Sequence, residues 1–226
     1  MPSTPTAITE NDTVQNETLE PPVKRLLEHV QDQLVCFGPK WATEYAALTN
    51  IGEPRRFFVS RLGGSGSTWF AKTLNSHPDV FCSHEGVLAL VYPRRAYDDD
   101  DHFRFIERMA RDNMHGSYRA IGDVGSTWLG QQIVFPKQWT TGWLVRHPVR
   151  TLNTVMQNVL AEGEGFPPVA ETEWNPISLM FEVDCAKLSP GDLFLLHQAE
   201  VWARSLLYVK YFRAADHIIR IEDMSN

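Results

Sequence analysis

Phe57-Phe58-Val59-Ser60-Arg61-Leu62-Gly63-Gly64-Ser65-Gly66-Ser67-Thr68-Trp69-Phe70-Ala71-Lys72-Thr73-Leu74-Asn75 decides how the rest of the chain is read. Its first part is a short apolar run with aromatic and β-branched residues, the composition of a buried strand. Three glycines among four residues follow, and helical spacing begins at Trp69, Phe70, Thr73 and Leu74. Strand, glycine-rich turn and helix together aim free backbone N–H groups and a helix N-terminus at an anion. Glycine allows the close backbone approach this needs, and Ser65, Ser67 and Thr68 add hydroxyl donors. The stretch reads as a phosphate-binding loop; the plainer alternative is a ligand-free strand-to-helix turn.

Two common nucleotide loops are excluded by counting. A GxxxxGK[ST] loop carries a lysine just before its last hydroxyl residue, whereas the first lysine here, Lys72, already lies inside the helix. A GxGxxG fingerprint requires a third glycine where Trp69 stands.

The 226 residues, 43% hydrophobic, suffice for one substantial α/β core. A formal net charge of −7 disfavours a general nucleic-acid binder, although it leaves room for a local positive cleft. Cys36, Cys82 and Cys185 are too far apart for a zinc motif and odd in number, so reduced thiols in a cytoplasmic protein are expected. No long apolar run predicts a membrane span, and the polar N-terminus does not read as a secretory signal.

Residues 1–22 have the composition of a disordered tail. Pro22 can open a helix over Val23–Leu34, and a second short helix over Trp41–Leu48 completes an N-terminal helical extension through residue 54. The main domain, 55–226, is expected to be a three-layer α/β fold: a central parallel sheet of four to five strands with helices on both faces. Further strands are read at Val80–Cys82, Tyr118–Gly122, Trp139–Val145 and His217–Ile221. Helices are read at Phe103–Asn113, from Trp128, running on from the strand end Arg146–Arg150 through Leu160, at Ile177–Leu188 and at Asp192–Ala214. Asp98 to Asp101 precede a helix and read as a solvated, dipole-complementing turn rather than a metal site. Glu162–Trp174 reads as an exposed loop able to cover a substrate.

A second anion-binding candidate is Arg146, at a strand's C-terminal end, with Thr154 eight residues later in the following helix. Two helical turns span about 12 Å, which the turn at Pro148 can fold back. In combination, the loop and His77-Pro78 resemble the 5′-phosphosulfate loop of sulfotransferases that use 3′-phosphoadenosine 5′-phosphosulfate (PAPS). Leu144-Val145-Arg146-His147-Pro148 with Thr154 is similar to that family's 3′-phosphate motif. Ile218-Ile219-Arg220-Ile221-Glu222-Asp223-Met224 is similar to its late Tyr-Glu-Asp-Leu-type strand. The three motifs, in order, cover roughly residues 55–226.

The resemblance implies a P-loop-NTPase-like sulfotransferase fold and PAPS as the sulfuryl donor, with adenosine 3′,5′-bisphosphate as product and no metal required. Gly63, Gly64, Ser65, Gly66, Ser67 and Thr68 would hold the 5′-phosphosulfate, and Arg146 with Thr154 the 3′-phosphate. The family carries a basic residue directly before Ser65, where Gly64 stands here; Arg61 is the candidate substitute. It also continues past its Glu-Asp strand with further helices and a glycine-containing basic loop, which residues 55–226 lack. Trp69 is expected in the core rather than beneath the adenine.

Asn75–Gly86 resembles the segment in which tyrosylprotein and related sulfotransferases carry a catalytic glutamate, which places that role on Glu85. The chemistry agrees, because an attacking hydroxyl must lose its proton beside the sulfonate. The plainer reading of Glu85 is a carboxylate at a helix start. His84 competes as the base because imidazole titrates near neutral pH. Asp123, expected just past the third strand, is a third candidate for the base or its orienting group. The acceptor is a hydroxyl or amine of a small molecule, sugar or peptide. The alternative function is a non-catalytic nucleotide-binding module of the same fold, and a P-loop kinase is disfavoured by the absent lysine.

Overall fold

The computed structural model describes residues 19–36, 54–86, 118–126, 128–135, 138–162 and 178–224. The expected helices at 41–48 and 103–113, the tail before residue 19, Asp98–Asp101 and most of the 162–174 loop lie outside the described residues.

In chain order, the elements are α1 (Pro21–Cys36), β1 (Arg55–Arg61), α2 (Ser67–Asn75), β2 (Val80–His84), β3 (Ala120–Ser126), α3 (Trp128–Gln131), β4 (Thr140–Val145), α4 (Pro148–Glu162), α5 (Pro190–Phe212) and β5 (His217–Arg220). The five strands form one parallel sheet in the order β2-β3-β1-β4-β5, the expected α/β architecture. Alternation along the strands feeds two cores. On one face Val59, Cys82, Val124 and Leu144 pack with Phe70 and Ala71 of α2. On the other, Trp143 packs with Leu26 and Val30 of α1, Leu129 of α3 and Tyr208 of α5. The sheet is therefore the middle of three layers.

Parallel register decides which residues share the upper rim. Arg61 ends β1 opposite Ser126 of β3 and Leu144 of β4, and His84 ends β2 opposite Val124. Loop 62–66, His84, Glu85 and Arg146 thus all leave the sheet at the carboxyl ends of its strands, where parallel α/β sheets bind ligands.

Two expectations are corrected. The helix expected over Ile177–Leu188 does not form: residues 178–181 make a turn and only Cys185–Lys187 form a short 3₁₀ segment. The segment's backbone is satisfied by distant side chains instead. The Glu200 carboxylate, fully buried on α5, accepts the N–H groups of Ser178 (2.6 Å) and Met180. Arg25 of α1 donates to the carbonyls of Leu179 (3.2 Å) and Met180 and pairs with Glu182 at 2.7 Å. Ser178 and Glu182 have positive φ, outside the helical region. Second, β3 runs to Ser126 rather than Gly122, so Asp123 lies inside a strand and not after it.

α5 also carries His197, whose pKa falls from 6.5 to about 4, first through burial and then through the positive charge of Arg204. The unfolded chain accepts this proton before the folded one does. Stability is therefore full above pH 6.5 and is lost as pH falls from there toward 4. Urea unfolding should show a slope approaching 1.4 kcal/mol per pH unit from this group, and His197→Gln should remove it; an unchanged slope would place the acid sensitivity elsewhere.

Candidate phosphate cradle and base

The loop between β1 and α2 has the geometry of an anion cradle. Gly64 and Gly66 sit at φ 75° and 86°, angles that L side chains rarely adopt. Ser65 N–H donates to Leu62 C=O (3.2 Å) and closes the turn. Gly66 caps α2 in a left-handed conformation with no side-chain cap, which leaves the helix N-terminus open to an external acceptor. The Ser65 hydroxyl is 1% exposed and has no hydrogen-bond partner, an unusual arrangement for a buried polar group. Thr68 is exposed at the same end of the helix.

Trp69 is not in the core, as expected from its helical spacing, but 49% exposed. Phe70 and Ala71 supply the buried side of α2, so the preceding residue faces outward.

The packing at Gly64 explains why no basic residue stands directly before Ser65. A Cβ added there would lie 2.7 Å from Thr151 C=O and 3.0 Å from Val155 Cγ2 of α4. The loop is pressed against α4, and no side chain fits. Arg146 fastens the contact: one terminal nitrogen donates to Gly64 C=O at 3.0 Å and to Thr154 Oγ1 at 3.1 Å. Arg146 and Thr154 are thus brought together as their spacing predicted, directly against the loop. Glu222 of the Glu-Asp motif accepts His147 N–H at 2.9 Å, and this bond lowers its pKa. It ties the segment after β5 to the entry of α4.

The positive charge at the loop comes from β1. Arg61 forms an ion pair with Glu85, and both side chains are largely buried. An added Gly63 Cβ would be 3.6 Å from Arg61 Nη1, so the guanidinium spans from the loop to the carboxylate. Glu85 itself has φ 54°, a sparsely populated conformation for a side-chain-bearing residue. It is held by Glu85 N–H to Val124 C=O (3.1 Å) and by its neighbour, Gly86 N–H to Asp123 Oδ1 (3.1 Å). Asp123 is fully buried and also accepts Ser83 Oγ–H at 2.6 Å. Asp123 therefore anchors the turn that presents Glu85. Burial and then Asp123 push the Cys82 thiol up to about 12, so it stays protonated.

His84 lies 2.9 Å, through Nε2, from Ser67 Oγ. Burial, and secondly Arg61, lower its pKa, so the ring is neutral at pH 7. Two relations escaped sequence reasoning, the Arg61–Glu85 pair and the Ser67–His84 bond. Both depend on how the ends of β1 and β2 stand around α2, which spacing along the chain does not encode. Among the described residues no three His, Cys, Asp or Glu side chains gather as a metal site, and no helix is long and apolar enough to cross a membrane.

No family model matches the chain, and no curated protein matches it. Solved structures do. Shikimate kinase from Bacteroides thetaiotaomicron aligns at 14% identity and TM-score 0.41, over 76% of this chain and 89% of that one. An uncharacterized protein from Eubacterium ventriosum aligns at 14% and 0.39, over 74% and 88%. A sugar kinase from Janibacter aligns at 14% and 0.33, over 73% and 100%.

Proposed function

We propose that this chain transfers a sulfuryl group from PAPS to a hydroxyl or amine of a small-molecule, sugar or peptide acceptor. The observation that carries this is the bridge made by Arg146. A second cation–hydroxyl pair, Arg146 with Thr154, stands against a loop that already offers a helix N-terminus and an unpartnered buried hydroxyl. Two adjoining anion sites suit a nucleotide with phosphates at both its 3′ and 5′ positions. A nucleoside triphosphate loop would instead need a lysine next to the helix, where Ser67 stands.

In this reading the 5′-phosphosulfate lies over loop 63–66, with donors from the α2 N-terminus, Ser65, Ser67 and Thr68. The 3′-phosphate meets Arg146 and Thr154, and the exposed Trp69 offers a face to the adenine. Sulfuryl transfer proceeds in line: the acceptor oxygen or nitrogen bonds to sulfur as the sulfur–oxygen bond to the 5′-phosphate breaks. Negative charge grows on that phosphate, and the loop dipoles and Arg61 are placed to stabilise it. Glu85 takes the acceptor proton, with Asp123 positioning its turn.

Adenosine 3′,5′-bisphosphate at about 100 times its dissociation constant should stabilise the fold by about 2.7 kcal/mol. For a chain of this size that is a rise in melting temperature of roughly 5–10 °C. Adenosine 5′-monophosphate, lacking the 3′ group, should give much less. No shift with either the bisphosphate or PAPS at millimolar concentration would overturn the proposal, and a shift with ATP alone would favour a kinase. Binding without transfer from labelled PAPS to a broad acceptor panel would favour the non-catalytic module, in which the Arg61–Glu85 pair is purely structural.

A further inference from the structure

We infer that anion binding at the loop is coupled to proton uptake by His84, which positions the Ser67 hydroxyl as a donor. The inference rests on the loop being the donor site proposed above and concerns how that site is regulated.

Ser67 is buried at the first position of α2, so its hydroxyl belongs to the mouth of the cradle. A hydroxyl has one proton to give. When His84 Nε2 carries no hydrogen, the Ser67 proton is directed to it across the 2.9 Å contact, and the oxygen presents lone pairs elsewhere. An anion arriving at the helix N-terminus meets an acceptor where it needs a donor. If Nε2 carries hydrogen, the contact reverses: His84 donates to Ser67 Oγ, and Ser67 O–H turns to the anion. With the neutral ring's hydrogen on Nδ1, protonation from solvent supplies the one on Nε2, and no bond between heavy atoms is made or broken.

Charge favours the same change. Among the described residues, the groups around His84 are Arg61 at the end of β1, Ser67 on α2, Cys82 and Glu85 on its own segment, and Asp123 on β3. Cys82 stays a neutral thiol, Asp123 is occupied by Ser83 and Gly86, and Glu85 is paired with Arg61. Burial and, secondly, Arg61 keep the ring neutral in the empty site. A bound anion offsets the second of these, so the imidazolium becomes more favourable with ligand than without it. By linkage, affinity must then rise as pH falls.

The test is titration calorimetry from pH 6 to 8 in two buffers of different ionisation enthalpy. The probes are adenosine 3′,5′-bisphosphate and sulfate; the latter is included because a phosphomonoester itself titrates near pH 6. The wild type should take up protons on binding, at most about one per anion, with affinity falling by up to tenfold per pH unit. His84→Asn should abolish the uptake and flatten the profile, and Ser67→Ala should weaken it while His84 remains. Binding without proton uptake, or equal uptake in His84→Asn, overturns the coupling. The His84 ring resonances of the wild type, titrated with and without sulfate, give the same answer should the variant not fold. If sulfate couples but the bisphosphate does not bind, the donor assignment fails and the coupling stands. If neither binds, both fail.

Discussion

Replacing Glu85 with Gln should lower sulfonate transfer from PAPS by roughly 10²–10⁴-fold, the range for losing a positioned general base. Nucleotide affinity should hold or improve. The two results belong together because of Arg61. In the wild type its guanidinium is shared between the loop and the Glu85 carboxylate, both largely buried. The amide cannot accept a proton from the acceptor, and it no longer neutralises Arg61. A bound 5′-phosphate then provides the missing countercharge, so bisphosphate should stabilise Glu85→Gln at least as much as the wild type. A purely structural glutamate would give a different pattern: loss of stability, with transfer per folded molecule intact. Intact transfer in Glu85→Gln, with loss in His84→Asn, would move the base to His84.

The second large effect is at Gly64. Sulfotransferase-like loops carry a basic residue there, so restoring one looks like a repair; the geometry says it is damage. Gly64→Lys should destabilise the fold by about 2–4 kcal/mol: 1–2 from a side chain forced to positive φ, and the rest from overpacking against Thr151 C=O and Val155. That is a fall of roughly 5–15 °C in melting temperature. Relief of the clash must move the loop away from α4 and break the bond from Arg146 to Gly64 C=O. Bisphosphate affinity should therefore fall at least tenfold. Gly64→Ala should share most of the stability loss. A lysine variant that melts normally and binds more tightly would show that the loop has room for the charge.

The loop was legible because glycine and hydroxyl residues follow an apolar run, a local pattern with a local cause. Arg146 and Thr154 were legible by their eight-residue spacing across the turn at Pro148. Residues 178–188 were not. The local sequence reads as a helix, but the backbone there answers to Glu200 and Arg25, 20 and 155 positions away for the two contacts to Met180. Asp123 was expected just past the third strand, which in fact runs on to Ser126. Gly122 is where the Phe57 ring lies against the sheet, leaving no space for a Cβ. Trp69 shows the same limit: helical spacing marks a stripe, and the neighbouring elements decide which edge of it is covered.

The clamp on α1 also has a consequence for order in time. α1 precedes the other described elements in the chain, and its charged anchor, Arg25, grips carbonyls more than 150 residues further along. Those carbonyls are presented by a turn that Glu200, later still, holds in shape. Leu26 and Val30 have no complete surface to cover until α5 exists. Among the described helices, the one made before the others is thus the one whose docking must wait longest. Until then its apolar side is exposed on the nascent chain, where chaperones have their opportunity.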